Sequence, residues 1–93
     1  MLNEYHNAIR TLVETEKDRA ILSDSLILYQ TESDEMYDHT LVSQRIYGTR
    51  QYHDVVRVCL GLSFPHEPIP QGLYFFPTLG ALLKLKHKYL DND

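Results

Sequence analysis

Apolar residues recur along this chain with two different periods, and the change of period marks its elements. Tyr52, Val55, Val56, Cys59 and Leu60 fall at i, i+3, i+4, i+7 and i+8, which puts them on one face of a helix over residues 50–60. Thr49 can cap its start and Gly61 its end. Upstream, Tyr37 with Leu41 and Val42 with Ile46 are each four apart, so a first helix is expected over residues 35–47. Ser33 or Asp34 would cap it, and Gly48 would stop it. By contrast, Ser25–Thr31 and Leu73–Phe76 are short, β-rich runs bounded by turn residues, and both read as strands.

Between the second helix and the second strand, Pro65, Pro68 and Pro70 forbid regular structure, so residues 64–72 read as a loop. Pro77 closes the last strand. Thr78 then caps a C-terminal helix with Leu79, Leu82, Leu83, Lys86 and Leu90 along one face. The N-terminus is ambiguous. Leu2, Tyr5, Ile9, Leu12 and Val13 have helical spacing, yet Ile9–Thr15 is rich in β-branched residues. The expectation is a mobile or extended arm, ending at the polar break Lys17-Asp18-Arg19.

Two strands in so small a unit must pair with each other, and two helices must bury their apolar sides on that pair. The expected class is therefore α+β: a strand–helix–helix–strand core over residues 25–77, a two-stranded antiparallel sheet with two helices on one face. An N-terminal arm (1–24) and a C-terminal helical extension (78–93) flank it. Tyr47, Gly48, Val55, Val56 and Cys59 are the expected core residues.

Composition fits one ordered domain of 93 residues, with 43% hydrophobic residues and ten aromatics (seven Tyr, three Phe). No apolar run is long enough to span a membrane, and residues 1–10 lack the basic-then-apolar order of a signal peptide. The net charge of −4 is uneven. Residues 1–40 hold nine acids against three bases, whereas 41–93 hold six bases against four acids. Only Lys84, Lys86 and Lys88 cluster, which is far from the dense basic stripe a nucleic-acid surface needs. Neither nucleic acid nor membrane is an expected partner.

The reactive residues favour packing over chemistry. The five histidines (His6, His39, His53, His66, His87) show no metal-ligand spacing, and one cysteine makes neither a disulfide nor a cysteine-based zinc site. His53 and Asp54 are adjacent on a helix and so point about 100° apart. Cys59 sits on the apolar stripe, where a thiol is inert. Asp34 and Glu35 stand at a helix start, where carboxylates cap. No glycine-rich phosphate loop exists. No enzyme, cofactor or metal is expected.

The Tyr74-Phe75-Phe76 run raises a different question. Alternate strand residues face opposite ways, so either Phe75 or its two neighbours must turn away from the helices. Exposed aromatics mark interfaces. The C-terminal helix likewise holds more leucines than one docking face needs. Tyr74, Phe76, Leu83, Leu85 and Tyr89 are the expected partner contacts.

The ordered set of punctuation also resembles a known family. Glu32-Ser33-Asp34, then Arg45-Ile46-Tyr47-Gly48-Thr49, then Tyr52-His53-Asp54-Val55-Val56, then Pro70-Gln71-Gly72-Leu73-Tyr74-Phe75-Phe76-Pro77 is similar to LysM-type domains. The nearer likeness is to LysM-like proteins of contractile phage tails, the tail protein X and baseplate wedge families. It covers residues 26–77. The chain departs from the family in lacking tryptophan and in carrying Leu60-Gly61-Leu62-Ser63 where an Asn pair often follows the second helix. The resemblance implies a structural assembly protein of the virion, present in several copies and touching wedge, hub or tube subunits. The alternative it implies is a saccharide-binding module for peptidoglycan or chitin, with Glu32-Ser33-Asp34 and Phe64-Pro65-His66 lining the groove.

Overall fold

The two β-rich runs do pair. In a computed structural model of the protein, which describes residues 2–19 and 24–90, β1 (Leu26–Gln30) and β2 (Leu73–Pro77) form an antiparallel two-stranded sheet. The register sets Ile27 opposite Phe76, Leu28 opposite Phe75 and Tyr29 opposite Tyr74. Bonds from the Thr31 amide to the Gly72 carbonyl (2.9 Å) and from the Thr78 amide to the Ser25 carbonyl (2.8 Å) extend the pairing at each end. Four α-helices complete this small α+β fold: α1 (Leu2–Glu16), α2 (His39–Tyr47), α3 (His53–Leu60) and α4 (Leu79–Tyr89). Ser23, expected to bound the first strand, and the last three residues of the expected C-terminal extension lie outside the described residues.

One face of the sheet carries Ile27, Tyr29, Tyr74 and Phe76. They pack with Val42 of α2, Val56 of α3 and Ile69 of the connecting loop. Phe76, expected at a partner surface, is 0% exposed. The reason is register: opposite Ile27 it must share that residue's side, and Tyr29 meets it edge-on at 6.2 Å. A second cluster lies between the helices. It joins Tyr5 and Ile9 of α1, Tyr47, Tyr52, Val55 of α3 and Leu82 of α4. Cys59, expected in the core, is half-buried and packs against both clusters.

Residues 2–16, expected as a mobile or extended arm, are instead helix α1. The magnitudes explain the difference. A β-branched residue costs a helix only a few tenths of a kcal/mol, whereas burying an isoleucine side chain contributes about 2 kcal/mol. Tyr5 and Ile9, four apart, both reach the inter-helix cluster, so packing outweighs propensity.

The first core helix also starts later than expected, at His39 and not at residue 35. The Ile69 amide donates to the Met36 carbonyl at 2.7 Å, which takes the acceptor a continuous helix would need there. Ser33–Glu35 forms a 3-10 turn, and Asp38, not Ser33 or Asp34, caps α2 by accepting from the Leu41 amide at 3.1 Å. Gly48, expected in the core, is exposed; it ends α2 with φ 76°, a left-handed conformation that favours glycine. Ser43 then ties α2 to the turn that precedes α3. Its buried hydroxyl donates to the Thr49 carbonyl and accepts from the Tyr52 amide. The helix expected over 50–60 opens as a 3-10 turn, Arg50–Tyr52, which Thr49 caps by accepting from the Gln51 amide; Thr78 caps α4 by accepting from the Ala81 amide.

If α1 belongs to the core, Ile9→Ala should cost about 3 kcal/mol in urea unfolding, the usual range for a fully buried large-to-small change. A dispensable arm would lose less than about 0.5 kcal/mol.

Candidate functional site

Glu35 is the centre of the polar structure. It is 0% exposed, in the turn between β1 and α2. A buried carboxylate needs compensation for lost hydration, and three donors supply it. The Tyr29 hydroxyl donates to Oε2. The Glu32 amide donates to Oε1 at 2.6 Å, and Arg45 Nη1 donates to Oε2 at 3.0 Å. The same guanidinium forks onto the exposed Asp34, at 2.9 and 2.7 Å. The bond from Arg45 holds the Asp34 carboxyl below the usual carboxylate range. Burial first, and the adjoining Glu35 carboxylate second, push the Tyr29 phenol up to about 12.

The loop over residues 64–72 closes onto this turn. Thr31, buried, donates to the Pro70 carbonyl and accepts from the Gly72 amide, each at 3.0 Å. His39, also buried, holds the Glu67 carbonyl through Nε2 at 2.7 Å, while its Nδ1 has no partner. Asp34 and Glu35 are therefore committed to structure, and no proton-transfer pair stands free at this turn. Burial pushes the Cys59 thiol up to about 12, so it offers no nucleophile at neutral pH. Asp54 does not meet its neighbour His53; its carboxylate lies 2.9 Å from His6 Nε2, across the α1–α3 boundary. Among the described residues no three His, Cys, Asp or Glu side chains gather as a metal site, and no helix is long and apolar enough to cross a membrane.

What the structure offers instead is surface. Leu28, Leu73 and Phe75 share the sheet face turned away from α2 and α3; Leu28 is 54% and Leu73 62% exposed, and Phe75 is half-buried. Sequence reasoning missed this trio. The strand alternation contained it, but only the register told which parity faces out.

The expected contact residues divide. Tyr74 is half-buried on the helix side, with its hydroxyl donating to the Pro70 carbonyl at 3.1 Å. Leu85 and Tyr89 pack against the inter-helix cluster. They also line a shallow groove of about 530 Å³ between α1 and α4, beside Ala8, Leu12 and Thr15. Leu83 is exposed, as are Leu79 and Leu90. Of the expected core residues, Tyr47, Val55 and Val56 are buried, and Tyr47 donates its hydroxyl to the Pro77 carbonyl at 2.7 Å.

Compared with known proteins, the chain matches no family model, and no curated protein or solved structure matches it.

Arg45→Met should cost about 2–3 kcal/mol, because it strips a charged donor from a buried carboxylate. Tyr29→Phe should cost about 1–2 kcal/mol near neutrality. The raised phenol pKa keeps that contribution complete below about pH 10 and removes it as pH climbs toward 12. The gap between wild type and Tyr29→Phe in urea titrations should accordingly narrow over that window. A gap that stayed constant to pH 12 would mean the hydroxyl does not face the carboxylate.

Proposed function

We propose that this chain is a non-enzymatic assembly protein of a phage tail or baseplate, a LysM-like adaptor joining neighbouring subunits. One observation carries the reading: residues 26–77 close as strand, helix, helix, strand, with antiparallel strands and both helices packed on one sheet face. The residues that carry the resemblance stand at element boundaries, which supports the reading. Tyr47-Gly48 ends the first helix, and Pro70-Gln71-Gly72 leads into a final strand that Pro77 closes.

The adhesive surface in this reading is the apolar face of Leu28, Leu73 and Phe75, together with the exposed leucines of α4. Burial of such surface drives association, and charge complementarity fixes register. The buried Glu35 carboxylate and the Cys59 thiol serve the fold, which suits a rigid peg. Its partners would be wedge, hub or tube subunits, and its place the virion, in a copy number set by the particle's symmetry.

A saccharide-binding role is the second reading, and one observation favours it. The chain that follows each of the two groove segments is tied to the other by the Ile69–Met36 and His39–Glu67 bonds, and the second segment carries the exposed ring of Phe64. Quantitative mass spectrometry of purified tail particles from the source phage separates the two. The adaptor reading expects the chain in every particle at a fixed ratio to the tube protein. Its absence from particles, with saturable retention on purified peptidoglycan at moderate salt, would overturn that reading in favour of the second.

A further inference from the structure

The distribution of arginine partners singles out one cleft. Arg19 pairs with Glu16 at 2.7 Å, Arg45 with Asp34 and Glu35, and Arg50 with Asp38 at 3.4 Å. The two remaining arginines hold no carboxylate among the described residues. Arg10 donates to the Asn7 side-chain oxygen at 2.8 Å, and Arg57 is half-buried with no ion pair. Both line the same cleft of about 510 Å³ between α1 and the end of α3. On an acidic chain, two guanidiniums without carboxylates facing one cavity favour an anion there.

The rest of the lining narrows what that anion can be. The Asp54 carboxylate is also present and is already hydrogen-bonded to His6. Arg10 and Arg57 against Asp54 leave the lining a surplus of one formal positive charge, enough for one carboxylate and too little for a polyanion. Val58, Leu62 and Pro65 supply an apolar wall. Asp34, Glu35 and Asp38 of a second copy are not the occupant, because they already hold Arg45 and Arg50.

We propose that the Arg10–Arg57 cleft docks a segment of a partner protein in which a carboxylate side chain adjoins an apolar one. A guanidinium receives the carboxylate as a fork, and the apolar neighbour lies on Val58, Leu62 and Pro65. The inference deepens the adaptor reading and rests on it for the existence of a protein partner. Its test concerns only the chemistry of the cleft. A chain that bound a short acidic peptide there but was missing from tail particles would keep this site and lose the tail assignment.

The experiment is an NMR titration of the full chain, isotopically labelled, following the Arg10 and Arg57 side-chain N–H signals and the Leu62 methyls. The probes are acetyl-Gly-Asp-Phe-Gly-amide, the same peptide with Asn for Asp, and inorganic phosphate. The acidic peptide should shift these signals saturably, and its affinity should fall severalfold when salt is raised. The Asn peptide should bind about tenfold more weakly, as should the acidic peptide to Arg57→Gln. Arg57→Lys, which keeps the charge and loses the fork, should fall between. Equal binding of the two peptides would overturn the proposal. So would phosphate binding as tight as the acidic peptide, or concentration-dependent shifts of the cleft without any peptide, which would put a second copy there.

Discussion

Antiparallel pairing of β1 with β2 is the constraint on which everything else depends. A two-stranded ribbon is marginal alone, and closing the long connection between these strands costs further entropy. The ribbon persists because its inner face, Ile27, Tyr29, Tyr74 and Phe76, is buried under α2, α3 and Ile69. Those helices in turn bury Val42 and Val56 against Phe76 of the ribbon. The dependence is mutual, and the Tyr47 hydroxyl on the Pro77 carbonyl fastens α2 to the last strand at its far end. α4 follows Pro77 after a single capping residue, so its placement, and with it the seat of α1, descends from the same pairing.

The buried Glu35 plays a different part. A well-packed apolar residue could fill such a space at similar or better stability. What the carboxylate adds is direction. Its three donors come from a strand, a turn and a helix, and only one arrangement of those elements satisfies all of them. The Met36 carbonyl and the Thr31 hydroxyl extend that lock to the proline-rich loop. The result is a stiff frame with Asp34, Glu35 and Asp38 engaged, leaving apolar patches and two arginines of the α1–α3 cleft as surface open to others.

Much of the frame was legible from local chemistry. Gly48 and Gly61 announce helix ends because few other residues adopt their backbone angles, and Thr49 and Thr78 announce starts because a hydroxyl satisfies an orphan amide. What was not legible depended on partners distant in sequence. α1 reads as ambiguous until α3 and α4 bury Tyr5 and Ile9. The start of α2 depends on Ile69 claiming a carbonyl more than thirty positions away. Alternation divides Tyr74, Phe75 and Phe76 into two sets, but their side is fixed only by the register with Ile27. The His6–Asp54 contact, and the two arginines beside it that hold no carboxylate among the described residues, carry no local signal at all.

Native-state hydrogen exchange tests the central dependence most directly. If strand pairing, the helix layer and α1 stand or fall together, the amides of Ile9, Thr31, Val56 and Thr78 should exchange with one shared free energy, equal to that of global unfolding. A lower value for Thr31 and Thr78, with Val56 still fully protected, would mean the ribbon opens while the helices remain, and the account would be wrong.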